Sequence, residues 1–146
     1  MTEFKKAEIT VRSVIDEISS DGFPTGEPEI NIITAEGDIE YGEGTTTLKY
    51  LEKSEGGEVV CQLTLINSGR ISLVRKGAVE CRLDFEEGKT VKTLYSVPPY
   101  SFDMTVTAKK VSFEAGADGG DIRLVYFMNI GGRDAKVNMK IAFRIK

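Results

Sequence analysis

The stretch ISLVRKGAVECRLDF, residues 71 to 85, has the pattern of two β-strands joined by a tight turn. Its second half alternates apolar and polar side chains, and the apolar ones are Val79, Cys81, Leu83 and Phe85. A period of two is typical of a strand with one buried face and one face in water. Ile71 and Leu73 begin the same alternation in the first half, but the next position in that phase is Arg75. The pattern therefore places an arginine on a face that is otherwise apolar.

The same alternation recurs along the whole chain, and no stretch of comparable length has convincing helical spacing. Short glycine-containing segments such as RKGA, residues 75 to 78, and EEGK, residues 86 to 89, separate the runs and predict hairpin turns. Strands joined by hairpins pair with their neighbours in sequence, which gives an antiparallel meander. We predict ten strands, at residues 7–16, 29–41, 45–53, 58–67, 70–75, 78–86, 89–97, 102–115, 120–130 and 133–145.

A long meander with one apolar face closes most economically into a barrel, because closure removes the exposed strand edges. We therefore predict an all-β fold, an antiparallel up-and-down barrel of about 8 to 10 strands that forms one domain over residues 1–146. In two strands the apolar phase changes, once around Gly37 and once at Lys109 and Lys110. A β-bulge at each place would restore the apolar face and bend the strand.

Charge is distributed unevenly along the chain. The 146 residues include 19 basic and 23 acidic side chains, a net charge of -4, and no histidine. Residues 1–73 carry 6 basic and 14 acidic side chains, net -8, whereas residues 74–146 carry 13 basic and 9 acidic, net +4. The first and last strands of a closed barrel are neighbours, so we expect cross-strand ion pairs to take up much of this difference.

The composition excludes several kinds of active site. Without histidine, the usual serine and cysteine triads have no base, and the common zinc sites lack a ligand. Cys61 and Cys81 are far apart in sequence and each lies in an apolar phase, so we interpret both as small buried side chains. We therefore assign no catalytic residue, no metal and no cofactor.

The hydropathy pattern argues against a membrane protein or a secreted one. No apolar run reaches the roughly 18 residues of a membrane helix. The amino terminus, MTEFKKAEITVRS, has no apolar segment of the kind that a secretory signal requires. We expect a cytoplasmic location and no membrane partner.

Seven short segments carry a family resemblance: SVID at 13–16, TAEGDIEY at 34–41, LKYLE at 48–52, LVRKGAV at 73–79, DFEEGK at 84–89, YSVPPYS at 95–101 and GGDIRLVYFMNIGG at 119–132. Their order and spacing resemble the DUF1934 family, small bacterial proteins of unknown function. The resemblance implies a calycin-like β-barrel, and it implies no activity because the family has no established catalytic residues. Calycins in the wider sense often bind small apolar ligands, which is an analogy of fold alone.

The meander also predicts where polar residues of the apolar phase come together. All odd-numbered strands run in the same direction, so the ends of strands three, five, seven and nine meet at one mouth of the barrel. The polar residues in the apolar phase near these ends are Glu52, Arg75, Tyr95 and Tyr126, with Tyr50 one step before Glu52. An arginine can hold a carboxylate or phosphate bidentately, and phenols can orient it. Apolar walls with a few convergent polar groups are typical of a ligand site.

The same residues allow two other interpretations. A buried charge needs a partner, and Glu52 can serve Arg75 as well as a ligand would, which would make the pair purely structural. Alternatively, Arg75 reaches past the rim into water. The site hypothesis, a ligand at Arg75, Glu52, Tyr50, Tyr95 and Tyr126, stands beside both.

These observations leave three classes of function open. The leading hypothesis is binding, either of a small amphipathic or anionic ligand at the mouth or of a protein partner on the outer surface. The second is an enzyme that uses Arg75, Glu52 and tyrosines without histidine. The third is weak nucleic-acid binding through a basic stripe on the last strand, formed by Lys136, Lys140, Arg144 and Lys146. The absence of an aromatic residue from the stripe and the acidic net charge argue against the third.

Overall fold

A computed structural model describes residues 3–54 and 56–146 of the chain. It contains ten β-strands and, among these residues, no helix. The strands are β1 Glu3–Ile18, β2 Glu29–Gly42, β3 Thr45–Ser54, β4 Gly57–Ile66, β5 Arg70–Gly77, β6 Cys81–Phe85, β7 Thr90–Val97, β8 Tyr100–Gly116, β9 Gly119–Ile130 and β10 Arg133–Ile145. The prediction of ten strands from alternation and turn signals is confirmed. No helix in the described part of the chain is long and apolar enough to cross a membrane.

The strands form one antiparallel sheet in the order β6-β5-β4-β3-β2-β1-β10-β9-β8-β7. Except for β6 and β7, strands that are neighbours in sequence pair with each other as a meander. The first and last strands also pair along most of their length, from Ala7 opposite Ile145 to Ile18 opposite Asp134. The sheet curls into a nearly closed barrel whose inner face holds the apolar alternation phase. The predicted up-and-down barrel is confirmed.

The remaining gap lies between β6 and β7, the two edge strands. It is bridged at one end by two backbone hydrogen bonds between Glu80 and Ser96, and at the other by the loop after β6, where the N–H of Gly88 donates to the carbonyl of Ala108. β6 begins at Cys81, three residues later than predicted, because Glu80 pairs across the gap and not with β5. The barrel is therefore closed at the two ends of this gap and open between them.

The predicted β-bulge in β8 is present. The register with β9 shifts between Ala108 and Lys110, so the buried phase passes from Ala108 to Val111 while both intervening lysines are exposed. The backbone N–H of Val111 donates to the carboxylate of Glu87 at 2.9 Å. The loop after β6 thus satisfies a donor that the irregular ladder leaves without a strand partner.

The predicted bulge in β2 is wrong. β2 pairs with β1 without interruption, and its inner face keeps the odd phase throughout. Ile30 and Ile32 therefore face outward, 53% and 65% exposed. The apparent change of phase arose because these two isoleucines are apolar residues on the solvent-exposed face. Alternation alone cannot distinguish an exposed apolar residue from a β-bulge.

β2 and β3 come into contact at Gly37 and separate beyond it. Their ladder runs only from Gly37 opposite Tyr50 to Gly42 opposite Thr45. A Cβ at Gly37 would lie 2.5 Å from the side chain of Ile9 and 2.5 Å from the carbonyl oxygen of Lys49, so only glycine permits this approach. The first half of β2, residues 29–36, is thereby paired with β1 alone.

Cross-strand ion pairs form, but not between the first and last strands. Arg144 lies opposite Glu8, yet its guanidinium donates to the carbonyl of Gly120 at 3.1 Å and lies 3.5 Å from the carboxylate of Asp121 on β9. Lys146 pairs with Glu36 on β2. Among the described residues, no ion pair joins β1 to β10 directly, so this part of the charge prediction is wrong.

We predict that Gly37→Ala destabilises the barrel by about 1 to 3 kcal/mol, because the added methyl group forces β2 away from β3. The free energy of unfolding from denaturant titration measures this cost. Gly26→Ala is the matched control, since a Cβ there meets nothing within 4 Å. Equal stabilities for the two variants would contradict the close approach at Gly37.

Candidate functional site: a cavity at one barrel mouth

The interior is filled over most of its length and hollow at one end. The filled part contains fully buried side chains such as Ile9, Leu48, Leu63, Phe85 and Phe143. Tyr126, whose ring centroid is 4.9 Å from that of the buried Phe85, is part of the wall of a cavity of about 280 Å³. It is lined by Val11, Ser13, Ile15, Asn31, Ile33, Tyr50, Glu52, Leu73, Arg75, Cys81, Leu83, Tyr95, Met104, Tyr126, Met128, Ile130, Val137 and Met139.

The five residues that the sequence analysis selected all line this cavity. They come from β3, β5, β7 and β9, which end at the same mouth. Tyr50 and Tyr126 are buried, whereas Glu52, Arg75 and Tyr95 are partly exposed at the wall. The meander thus brings together side chains that are up to 76 positions apart in the chain, counting from 50 to 126.

Arg75 forms an ion pair with Glu52 across the cavity wall. Its Nη2 donates to Oε2 of Glu52 at 2.8 Å, and the two side chains are 22% and 20% exposed. Arg75 lies between two cysteines, since its cross-strand partners are Cys61 on β4 and Cys81 on β6. The thiol of Cys61 also lies 3.6 Å from Oε2 of Glu52. The arginine therefore already has a protein carboxylate, and it does not reach past the rim as a free charge.

The surroundings of Arg75 keep it charged. Burial disfavours the guanidinium, but the Glu52 carboxylate and the neighbouring Cys61 outweigh that effect, so the pKa of Arg75 is raised above its usual value. An arginine that stays charged in a partly buried wall is a fixed source of hydrogen-bond donors. One of its five N–H groups is used by Glu52 at 2.8 Å.

Burial governs the other polar groups around the Arg75–Glu52 pair. It raises the pKa of the phenols of Tyr50 and Tyr126 and the pKa of the thiols of Cys61 and Cys81. These four groups are therefore neutral at physiological pH and act as hydrogen-bonding or apolar surface. Both cysteines are free and buried, as the sequence analysis expected.

The opposite wall is apolar and had not been identified from the sequence. It contains the thioethers of Met104, Met128 and Met139 together with Ile15, Ile33 and Ile130. Ser13 and Asn31 add two polar groups near the start of β2. Strand alternation placed Met104 and Met139 on the inner face, but it put Ile33 outside, because the apolar phase of that part of β2 was assigned to Ile30 and Ile32. No sequence signal indicated that the inner side chains would leave space between them.

The cavity wall is incomplete where β2 and β3 separate. Ile33 belongs to the part of β2 that has no partner on the β3 side, and Glu52 belongs to the part of β3 beyond the ladder. The Arg75–Glu52 pair therefore lies beside a gap in the sheet as well as near the mouth. No group of three or more metal-binding side chains comes together in the described residues.

Comparison with known proteins assigns the chain to a family. The model of a domain of unknown function, DUF1934, matches residues 14–141. The protein belongs to the DUF1934 family. This confirms the resemblance stated from the seven segments, and it brings no activity with it.

A solved structure with the same fold is the ywiB protein from Bacillus subtilis. It is 20% identical in sequence, the alignment covers 98% of this chain and 93% of that one, and the TM-score is 0.85. At this identity the likeness shows the fold alone. No curated protein matches the chain.

We predict that Arg75→Met lowers the melting temperature and destabilises the protein by about 2 kcal/mol, because it leaves the partly buried Glu52 without its cation. The double variant Arg75→Met/Glu52→Gln recovers part of the loss, since it removes both charges. The free energies of unfolding of the wild type, the Glu52→Gln and Arg75→Met single variants and the double variant give the coupling. A coupling near zero would mean that the pair is not formed in solution.

We predict that stability decreases as pH rises above about 9. In the unfolded chain the thiols and phenols ionise at roughly pH 8.5 to 10, whereas the fold holds the four buried groups neutral at higher pH. Their contribution is complete below that range and is lost as pH rises through it. Denaturant titrations between about pH 8 and pH 10.5 measure the slope. Tyr126→Phe should flatten it, and Tyr100→Phe, at an exposed position, should not.

Proposed function

We propose that the protein binds a small amphipathic ligand in the cavity at the barrel mouth. The observation that carries the proposal is the asymmetry of the cavity: methionines and isoleucines on one side, and the Arg75–Glu52 pair with Tyr95 on the other. A cavity of about 280 Å³ is close to the lower limit of ligand pockets, roughly 300 Å³, so the ligand is small.

The head group of the ligand is a hydrogen-bond acceptor directed at Arg75. The guanidinium has donors beyond the one that binds Glu52, and its charge does not depend on pH in the physiological range. Because Glu52 already balances the charge of Arg75, an uncharged acceptor fits without an uncompensated ion. An anionic head fits only by sharing Arg75 with Glu52, so we expect it to bind less tightly.

The apolar body of the ligand contacts the methionine wall. Methionine side chains are unbranched and polarisable and adapt to the shape of what they contact. Three of them, Met104, Met128 and Met139, face the cavity from three different strands. A wall of this kind favours a class of related apolar groups over one exact shape.

We propose that the protein binds this ligand in the cytoplasm and does not catalyse a reaction on it. Among the described cavity residues, Glu52 is the single carboxylate, and Arg75 and Cys61 engage it. A general base would need that carboxylate free to take up a proton. Nothing in the geometry favours the alternative of histidine-independent catalysis.

Fluorescent probes test the proposal. N-phenyl-1-naphthylamine, which is uncharged, and 1-anilinonaphthalene-8-sulfonate, which is anionic, brighten on entering an apolar site. We predict that the folded protein binds the uncharged probe more tightly. Ile33→Trp, which fills the cavity from β2, should weaken binding at least tenfold.

The neighbouring substitution Ile32→Trp is the matched control. It adds the same side chain one position away, on the outer face, where Ile32 is already 65% exposed. Binding that is weakened equally by both substitutions, or by neither, would place the probe elsewhere and exclude the cavity as its site. Thermal melting of both variants shows whether they remain folded.

A further inference from the structure

The outer face of β1, β10 and β9 carries three exposed basic side chains in one row. Arg12 is the cross-strand partner of Lys140, and Lys140 is the partner of Arg123. Directly opposed residues of antiparallel strands share a face and have Cβ atoms about 5 Å apart. We name Arg12, Lys140 and Arg123 the basic row. It lies outside the barrel and takes no part in the cavity.

The basic row has no internal compensation. None of its three side chains lies within 4.0 Å of a carboxylate in the described part of the chain. By contrast, Arg144 near the end of β10 and Lys146 just after it are each paired with an acid. Like charges directly opposite each other destabilise a sheet. The arrangement therefore costs stability and suits an external anion.

The bulge in β8 enlarges this basic surface. In a regular strand one of two consecutive residues faces inward, but the register shift leaves Lys109 and Lys110 both exposed. The Nζ of Lys109 lies 5.4 Å from the ring centroid of Phe127, and Lys136 is the cross-strand partner of Phe127. A partly exposed aromatic ring thus stands between two lysines on the same face as the basic row.

Two depressions accompany these groups. One, of about 590 Å³, is bordered by the basic row and by the small side chains of Thr10, Ser112 and Ala142. Asp121 and Glu114 lie at its far side, where Asp121 faces Arg144 at 3.5 Å. The other, of about 260 Å³, has Phe127 in its wall together with polar residues, which are Ser19, Ser20, Thr105, Thr107, Asn129 and Asp134.

We propose that this outer face binds single-stranded nucleic acid, with phosphates on the basic row and a base against Phe127. Phosphates pair with arginine and lysine, and proteins that bind single strands combine a positive track with an aromatic platform. Hydroxyl and amide groups around the ring suit the edge of an unpaired base. Two features of the sequence count against nucleic acid, the net charge of -4 and the absence of an aromatic residue from the β10 stripe. The fold removes the second, because β9 supplies Phe127 opposite Lys136. The net charge remains, but the cations of the basic row are concentrated on one face.

An acidic protein segment is the competing occupant. It would use the basic row and the exposed Ile32, which lies opposite Arg12 on β2. Binding of such a segment would not explain why the Phe127 ring lies between two lysines beside a depression lined by polar residues. The observations therefore favour nucleic acid, and the two occupants give different results in the experiment below.

The experiment measures fluorescence anisotropy of a labelled oligouridine of about 15 nucleotides over a salt series starting at about 25 mM. We expect the wild type to bind and to lose affinity as salt rises. Arg12→Gln/Lys140→Gln/Arg123→Gln should bind at least tenfold more weakly, with a salt slope reduced by about 2, which is roughly 0.7 for each lost phosphate contact. The control is Lys76→Gln/Arg82→Gln/Lys89→Gln. It has the same net charge as the basic-row variant, but its substitutions lie on β5, β6 and the β6–β7 loop.

Two further readouts distinguish the explanations. Phe127→Leu should weaken binding about fivefold or more and leave the salt slope unchanged, because stacking does not release counterions. The basic-row variant should melt no lower than the wild type, because it removes opposed like charges, so a loss of binding cannot come from unfolding. Absence of binding at about 25 mM salt, or equal losses in the control variant, overturns the proposal. The proposal is also overturned, and an acidic protein becomes the occupant, if polyglutamate displaces the labelled oligouridine as effectively as unlabelled RNA does and Phe127→Leu does not change the affinity.

Discussion

The pairing of β1 with β10 is the contact on which the rest of the barrel depends. It joins two meanders, β1 to β6 and β7 to β10, into one sheet, and it does so between residues at opposite ends of the chain. Without it each meander would have an unpaired edge strand of apolar alternation, which invites association with other chains. Closure on the far side is much weaker, with one bridge at Glu80 and Ser96 and the contact of the β6–β7 loop with β8.

Uneven closure explains where the cavity lies. Strands that are held together along their whole length bring their side chains into a filled core, as around Ile9 and Phe143. Where β2 and β3 separate beyond Gly37, opposing side chains no longer meet, and the interior stays hollow. The polar residues of the inner face lie at this end because a charge such as Arg75 needs both a partner and some access to water. The separation of β2 from β3 thus leaves both the empty space and the access to water that the polar groups need.

The cavity and the basic outer face are on opposite sides of the same sheet and use opposite alternation phases. Odd positions of β1 and β10, such as Val11 and Val137, line the cavity, whereas Arg12 and Lys140 stand outside. A ligand on one side and a polyanion on the other would therefore contact consecutive residues of the same strands. A change in the distance between β1 and β10 would therefore alter both the cavity wall and the spacing of the basic row.

The sequence by itself determined the ten strands, the β8 bulge and the gathering of Glu52, Arg75 and three tyrosines at one mouth, because strand alternation and hairpin order are local properties. It misplaced Ile30 and Ile32, since an exposed isoleucine and a change of phase look the same in a pattern. Only the tertiary structure decided that Arg75 is paired with Glu52, that space remains beside Tyr126, and that Phe127 lies among lysines from β8 and β10. These depend on distances between strands remote in sequence, and no local periodicity records them.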